Sequence, residues 1–278
     1  MQQWSIGRLI AGLSFVLALA LPGLAAAQTA VPGEPPLDKS VIDDLVLANR
    51  ILANEGVLDG FGHISMRDPR NPNHFLQSRS VAPALVTAAD IMVFGMDSEP
   101  LDPALKKRGL YYERFIHGEI YKRRPDVMAI VHSHSPTVVP FASTQFKLKP
   151  ILHNAAFLGA GAPVFDLRKV AGITNMLIST PKLGAAMARQ LGQNAVILLR
   201  GHGDVVVGPS IKVAVWRAYY TEINARMVEQ AKVLDSPITY ISPEEAVPTD
   251  KVMQEVVGRP WDLWKRKLDH KSGVDAAH

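Results

Sequence analysis

Residues 195–207 leave a chain few ways to fold. Ala195 to Leu199 is an unbroken apolar run, Gly201-His202-Gly203 is a tight turn, and Val205-Val206-Val207 follows. Short β-branched runs separated by a turn read as neighbouring buried strands. A third run, Met128 to Val131, leads into His132-Ser133-His134, and Ile91 to Met96 reads as a further strand. Between them lie segments with the 3.6-residue spacing of helices: Ile42 to Leu52 with Ser40 as N-cap, Tyr111 to Tyr121, Thr180 to Leu191, and about Lys212 to Leu234. Strands interleaved with helices on both sides make a layered α/β domain. Gly60 to Arg67 and Phe75 to Ser78, joined through Asp68-Pro69 and Asn71-Pro72-Asn73, read as a hairpin. The sheet is therefore expected to be mixed rather than purely parallel. Ser135-Pro136 is expected to open a helix, and Pro150 to Leu152 and Pro163 to Phe165 to be short strands.

The ends of the chain carry separate signals. Arg8 precedes an apolar run from Leu9 to Leu21, Pro22-Gly23 breaks it, and Ala25-Ala26-Ala27 offers a small-residue cleavage site before Gln28. These are the parts of a secretory signal peptide, with an uncleaved anchor as the alternative reading. The expected organisation is a signal peptide over 1–27, a Pro/Gly linker over 28–38 and a catalytic domain over 39–235. An extension over 236–278 follows, holding loops and an amphipathic helix with Trp261 and Trp264. The mature protein is then periplasmic or secreted, with no stable membrane span after cleavage. The chain has no cysteine, so export would bring no disulfides. Its net charge of +4 is spread out, and Lys265-Arg266-Lys267 is too short a cluster to suggest nucleic acid.

His132 and His134 are two residues apart at a strand end, so both rings lie on one face. Neutral imidazole is the commonest protein metal ligand. His202, set between glycines at a turn after an apolar strand, is the natural third. Each histidine taken alone is equally the kind that a strand edge or turn carries without any chemistry; together they outline a divalent-metal site. Three protein ligands with open positions make a catalytic arrangement, which polarises a carbonyl or stabilises an enolate. Glu113, at the start of the helix leading to the His132 strand, is the candidate acid/base. His117 lies one turn further along, and reads equally well as a core histidine.

Glu113, His117-Gly118-Glu119-Ile120-Tyr121, Arg124-Pro125-Asp126 and His132-Ser133-His134-Ser135 together resemble the signature of the class II aldolase/adducin family. Gly201-His202-Gly203 has the place of that family's third histidine. The resemblance spans roughly Leu45 to Leu234. It implies an α/β fold, a three-layer α/β/α domain with a mixed, largely antiparallel central sheet, assembled as a homotetramer with sites at subunit interfaces. It implies one divalent ion per subunit, zinc, manganese or similar, held by His132, His134 and His202, with Glu113 as acid/base. The adducin branch lacks the metal histidines, so the resemblance is to the enzymes.

Sugar-phosphate aldolases of the family grip phosphate with a glycine-asparagine turn and two small hydroxyl residues before the glutamate. Here those places hold Gly62-His63 and Tyr111-Tyr112, which argues against a phosphorylated substrate. The run Gly60 to Ser65, with Ser78-Arg79-Ser80, is closer to the decarboxylase branch, whose substrates are carboxylated hydroxy-pyridines, hydroxy-aromatics or their ring-opened semialdehydes such as carboxymuconic semialdehyde. The expected activity is a decarboxylating carbon–carbon lyase acting on a small carboxylated molecule. His63, Arg79, Ser80, Tyr112 and His153 are the expected substrate-binding residues, with Arg79 pairing with the carboxylate. The alternatives are an aldolase or epimerase on an unphosphorylated hydroxy-carbonyl compound, and an exported binding protein without catalysis on the same fold.

Overall fold

The structure is a computed structural model that describes residues 29–275; the expected signal segment lies outside them. Seven strands form one sheet: β1 (His63–Arg67), β2 (His74–Ser78), β3 (Ile91–Gly95), β4 (Ala129–Ser133), β5 (Val164–Phe165), β6 (Val196–Leu199) and β7 (Gly203–Gly208). Their order is β3-β2-β1-β4-β7-β6-β5, with every neighbouring pair antiparallel except β5 and β6. The helices are α1 (Lys39–Asn54), α2 (Arg114–Arg123), α3 (Val139–Ser143), α4 (Arg168–Ala171), α5 (Pro181–Leu191), α6 (Ile211–Val233), α7 (Pro243–Glu255) and α8 (Gly258–Asp275).

Strand alternation sends side chains to two separate cores, one on each face of the sheet. Ile64, Leu76, Val93, Val131, Leu198 and Val206 pack with apolar residues of α1 and α6 and with Trp261 and Trp264 of α8. Phe75, Phe94, Ile130, Ile197, Val205 and Val207 pack on the other face with Ile116, Ile120 and Tyr121 of α2 and Met187 and Leu191 of α5. Two cores flanking one mixed sheet make the three-layer α/β/α architecture expected from the sequence. Among the described residues, no helix is long and apolar enough to cross a membrane.

Local details differ from expectation where polar side chains found other partners. Asp38, not Ser40, caps α1, accepting from the Ser40 backbone N–H. Ser135 does cap the turn that runs into α3: its hydroxyl accepts from the Val138 N–H and also donates to Glu222 Oε2, while the regular helix begins only at Val139. Residues 150–152 form no strand: the N–H groups of Ile151 and Leu152 go to the side chain of Asn224 on α6. Residues 243–255, expected as loop, are helical. Ser242 and Glu245 form a capping box at the α7 start, and Pro248 sits inside the helix. The stretch before α1 is tied to the hairpin by Arg70, which donates to the carbonyls of Thr29 and Pro35.

Candidate metal centre

Three elements converge at one end of the sheet. β4 ends with His132 in register with Val205 of β7, and His134 follows just beyond the strand. The β6–β7 turn delivers His202. Its shape depends on Gly201, at φ +63, and on Gly203, where an added Cβ would sit 1.9 Å from the Ser133 carbonyl oxygen. Only a residue without a side chain lets β7 approach β4 closely enough to bring His202 beside His134. Glu113 is the N-cap of α2, yet its carboxylate makes no cap hydrogen bond. Instead Oε1 accepts from the Ile178 N–H at 2.8 Å, and Oε2 faces the histidines.

Glu113, His132, His134 and His202 offer ligand atoms that all lie within 4.8 Å of one another. His134 Nε2 is 3.1 Å from both His132 Nε2 and His202 Nε2. Glu113 Oε2 is 3.4 Å from His132 Nε2 and 3.2 Å from His202 Nε2. Nitrogens bound at ~2.1 Å to a common ion stand about 3 Å apart, so the donor set fits a divalent cation. The tautomers fit as well: His132 Nδ1–H donates to the Asp204 carbonyl at 2.8 Å, which turns the Nε2 lone pair toward the site. Ser133 donates to the Asp204 side chain, locking the two strands behind the ring.

The electrostatics favour a cation at the same point. Burial and the neighbouring His132 and His202 push His134 down to about 4, so it stays neutral with its lone pair free. Burial alone would raise Glu113, but hydrogen bonds with His132 and His202 reverse this and hold its carboxyl well below the usual carboxylate range. His132, although burial works against a charge there, is raised by its contact with Glu113. A buried carboxylate thus draws positive charge into a ring of nitrogens. Asp204 behind it is pushed up to about 6 by burial.

A family model described as the class II aldolase and adducin N-terminal domain matches residues 43–228. The chain belongs to this family. Among curated relatives, it is 37% identical over 242 residues to the decarboxylase TropJ of Talaromyces stipitatus, covering 79% of this chain and 90% of the relative. It is 31% identical over 187 residues to a 3,4-dihydroxyphthalate decarboxylase of Arthrobacter keyseri, covering 63% of this chain and 71% of the relative. Among solved structures, it resembles an L-fuculose 1-phosphate aldolase of Glaciozyma antarctica at a TM-score of 0.67 and 26% identity, covering 90% of this chain and 98% of the other.

In this class II aldolase-type domain the remaining expected site residues separate into two groups. His63 and Ser80, with Tyr112, line a cleft of about 350 Å³ beside Glu113 and His134, together with Phe61, Tyr111 and Leu177. Arg79 is not in that wall: its Nε donates to Asp90 at 2.6 Å, and Arg108 approaches the same carboxylate. The helical turn Thr87–Asp90 closes on itself through the Asp90 side chain, so Arg79 serves that turn. His153 lines a different cavity, with Trp216, Tyr220 and residues of α7 and α8. Sequence reasoning missed Asp204 and Ile178. The first was visible as a lone acid in the apolar β7 run; the second acts through its backbone and has no sequence signal.

Proposed function

We propose that the protein is a divalent-metal-dependent lyase that removes carbon dioxide from a small hydroxylated carboxylate. Its decarboxylase relatives support the reaction class. The observation that carries the reading is the cleft wall next to the three-histidine ring. It is made of Phe61, Tyr111, Tyr112, Val81 and Leu177 with a few polar groups, and no lysine or arginine among the described residues lines it. The wall carries His63, Tyr111 and Tyr112 where a phosphate grip would need an asparagine turn and two compact hydroxyl residues, whereas a planar ring meets aromatic faces.

When bound, the ion supplies a Lewis acid at the point where negative charge develops. The protein does the rest. Ile178 pins one oxygen of Glu113, leaving Oε2 on the site side as the atom that handles the proton. Held ionised, Oε2 takes the proton of a substrate hydroxyl as the substrate docks. When the carbon–carbon bond breaks, the electron pair stays on the substrate carbon and carbon dioxide leaves neutral. The same Oε2 then returns its proton to that carbon. An apolar wall suits the departure, since the carboxylate loses its charge there.

The test is metal analysis of purified protein with a panel of ortho-hydroxylated aromatic carboxylates and phosphorylated hydroxy-ketones. The expected result is one divalent ion per chain and carbon dioxide release from the carboxylates alone. Turnover that survives His132→Ala in metal-free protein would overturn it. The likeness to an aldolase favours a second reading, cleavage of an unphosphorylated hydroxy-carbonyl compound; aldehyde release without carbon dioxide would select it. We also propose export through the N-terminal segment and a homotetramer, checked by N-terminal sequencing of the periplasmic fraction and by light scattering.

A further inference from the structure

Behind the cleft, helix and strand meet in matched steps. Glu113, His117 and Tyr121 recur every four residues along the start and length of α2, about 6 Å per step. His63, Ser65 and Arg67 recur every two residues along β1, with nearly the same rise. The two rows interlock. His63 Nδ1 is 2.7 Å from His117 Nε2, His117 Nδ1 is 2.6 Å from Ser65 Oγ, and Ser65 Oγ is 2.8 Å from the Tyr121 hydroxyl. All four side chains are buried. The chain ends at Tyr121, whose hydroxyl has Ser65 as its one hydrogen-bond partner among the described residues.

A chain of this kind can run in only a few directions, and hydrogen counting chooses between them. If Ser65 donates to Tyr121, the phenol hydrogen has no acceptor. If His117 Nδ1–H and Tyr121 both donate to Ser65, the serine hydrogen has none. A buried unmatched donor costs about as much as a hydrogen bond is worth, or more. One direction strands nothing: Tyr121 donates to Ser65, Ser65 to His117 Nδ1, and His117 Nε2–H to His63 Nδ1. With Nδ1 committed as acceptor, the single ring proton of neutral His63 must be on Nε2, the nitrogen left for the cleft that His63 lines beside Glu113.

We infer that Ser65 and His117 are positioning residues that hold His63 as its Nε2–H tautomer, so that His63 meets the substrate as a hydrogen-bond donor to an acidic oxygen and not as a base. The substrate clause rests on the lyase reading above; the tautomer does not. His63 lies opposite His132 in the β1–β4 register, with ring centroids 5.1 Å apart. A carboxylate or phenolate oxygen entering beside the metal ligands is therefore met by an N–H on its cleft side. Glu113 alone is then left to accept protons, and the two roles do not compete.

The test is nitrogen-15 spectroscopy of histidine-labelled, zinc-loaded full-length protein, with the His63 signal assigned by its loss in His63→Gln. In the parent protein, His63 should carry its proton on Nε2 with a bare Nδ1. Ser65→Ala removes the hydroxyl between Tyr121 and His117, frees the direction of the chain and should give a mixture of tautomers, whereas Tyr121→Phe leaves Ser65 with His117 Nδ1 as its acceptor and should keep the parent tautomer. Ser65→Ala should raise KM for a turned-over carboxylate about five- to tenfold, with kcat and metal content little changed. His117→Phe removes the donor to His63 Nδ1 and serves if Ser65→Ala does not fold. A proton on His63 Nδ1 in the parent, or an unchanged tautomer in Ser65→Ala and His117→Phe, overturns the inference. Failure of the lyase reading would show instead as no turnover with the tautomer intact.

Discussion

The metal ring and the cleft wall are neighbours built on opposite principles. The ring rests on backbone held by its neighbours: a strand end, a turn squeezed against that strand, and the N-cap of a helix. His132 is fully buried and its Nδ1–H is held by the Asp204 carbonyl of the neighbouring strand β7. The wall comes mostly from loops at residues 60–62, 80–82, 111–112 and 177, and Phe61 and Tyr112 are 69% and 74% exposed. The chemistry is therefore fixed by regular structure, and the choice of substrate is left to segments that can change without disturbing it.

The strongest way to break this contrast is to remove a ligand. His132→Ala or His134→Ala should leave a folded protein without its ion, with kcat/KM reduced by at least ~10³. Glu113→Gln should keep the ion and lose about 10² in kcat, since the proton carrier alone is gone. Metal analysis beside steady-state kinetics checks both. A ring variant that keeps full activity would mean that the wall, and not the ring, carries the reaction.

Next in size is the backbone beneath the ring. Gly203→Ala places a methyl group against the Ser133 carbonyl, where nothing flexible can yield. It should cost about 3 kcal/mol or more of stability and release the ion, both measurable by chemical unfolding and metal titration. Gly258→Ala, at a position with open space, is the control.

Protonation probes the junction between ring and wall. Burial, and then His132 nearby, push His117 down to about 3. Above pH 6.5 the ring is neutral whether folded or unfolded. Below it the unfolded ring takes a proton that the folded one refuses, so stability falls as pH drops from 6.5 toward 3. The slope is about 1.4 kcal/mol per pH unit for one such group. In chelator-treated protein His134 adds in the same sense. Asp204 opposes them, because its folded carboxyl keeps a proton up to about 6 that the unfolded one gives up near 3.8. His117→Asn should therefore flatten the urea midpoint against pH by roughly one proton between pH 6.5 and 4.

The two regions also differed in how far they could be read from the sequence. The three-layer fold and the ring were legible because both depend on short-range pattern: apolar runs, helical periodicity, His132-Ser133-His134, and glycines around His202. The His63 relay was half visible, since the four-residue spacing of Glu113, His117 and Tyr121 is printed in the chain. The partner row on β1 depends on strand pairing that spacing alone does not give. Arg79 and His153, which the structure leaves outside the cleft wall, depend on long-range placement in the same way. A cation near a signature motif looks like a substrate clamp until the acid that holds it is known, and Asp90 lies eleven residues on, in a turn.

The smallest effect tests the placement of Arg79. Arg79 is about one third exposed and is paired with Asp90, which also draws Arg108 and the Thr87 hydroxyl and N–H. Asp90 is buried, but it keeps Arg108 and both Thr87 donors when Arg79 is removed, and Arg79 is itself a third exposed, so the loss is only about 1 kcal/mol. Arg79→Ala should therefore lower the unfolding midpoint slightly and leave KM for a carboxylated substrate within about twofold of the parent. A carboxylate-binding arginine would behave otherwise, since truncating a charged hydrogen-bond partner of the substrate costs roughly 1.5–3 kcal/mol, or more than tenfold in KM. Such a loss would return Arg79 to the wall and require the turn at Asp90 to open when substrate binds. A flat KM instead leaves the recognition of the leaving carboxylate to His63, Ser80 and the ion, within a wall that carries no cationic side chain of its own.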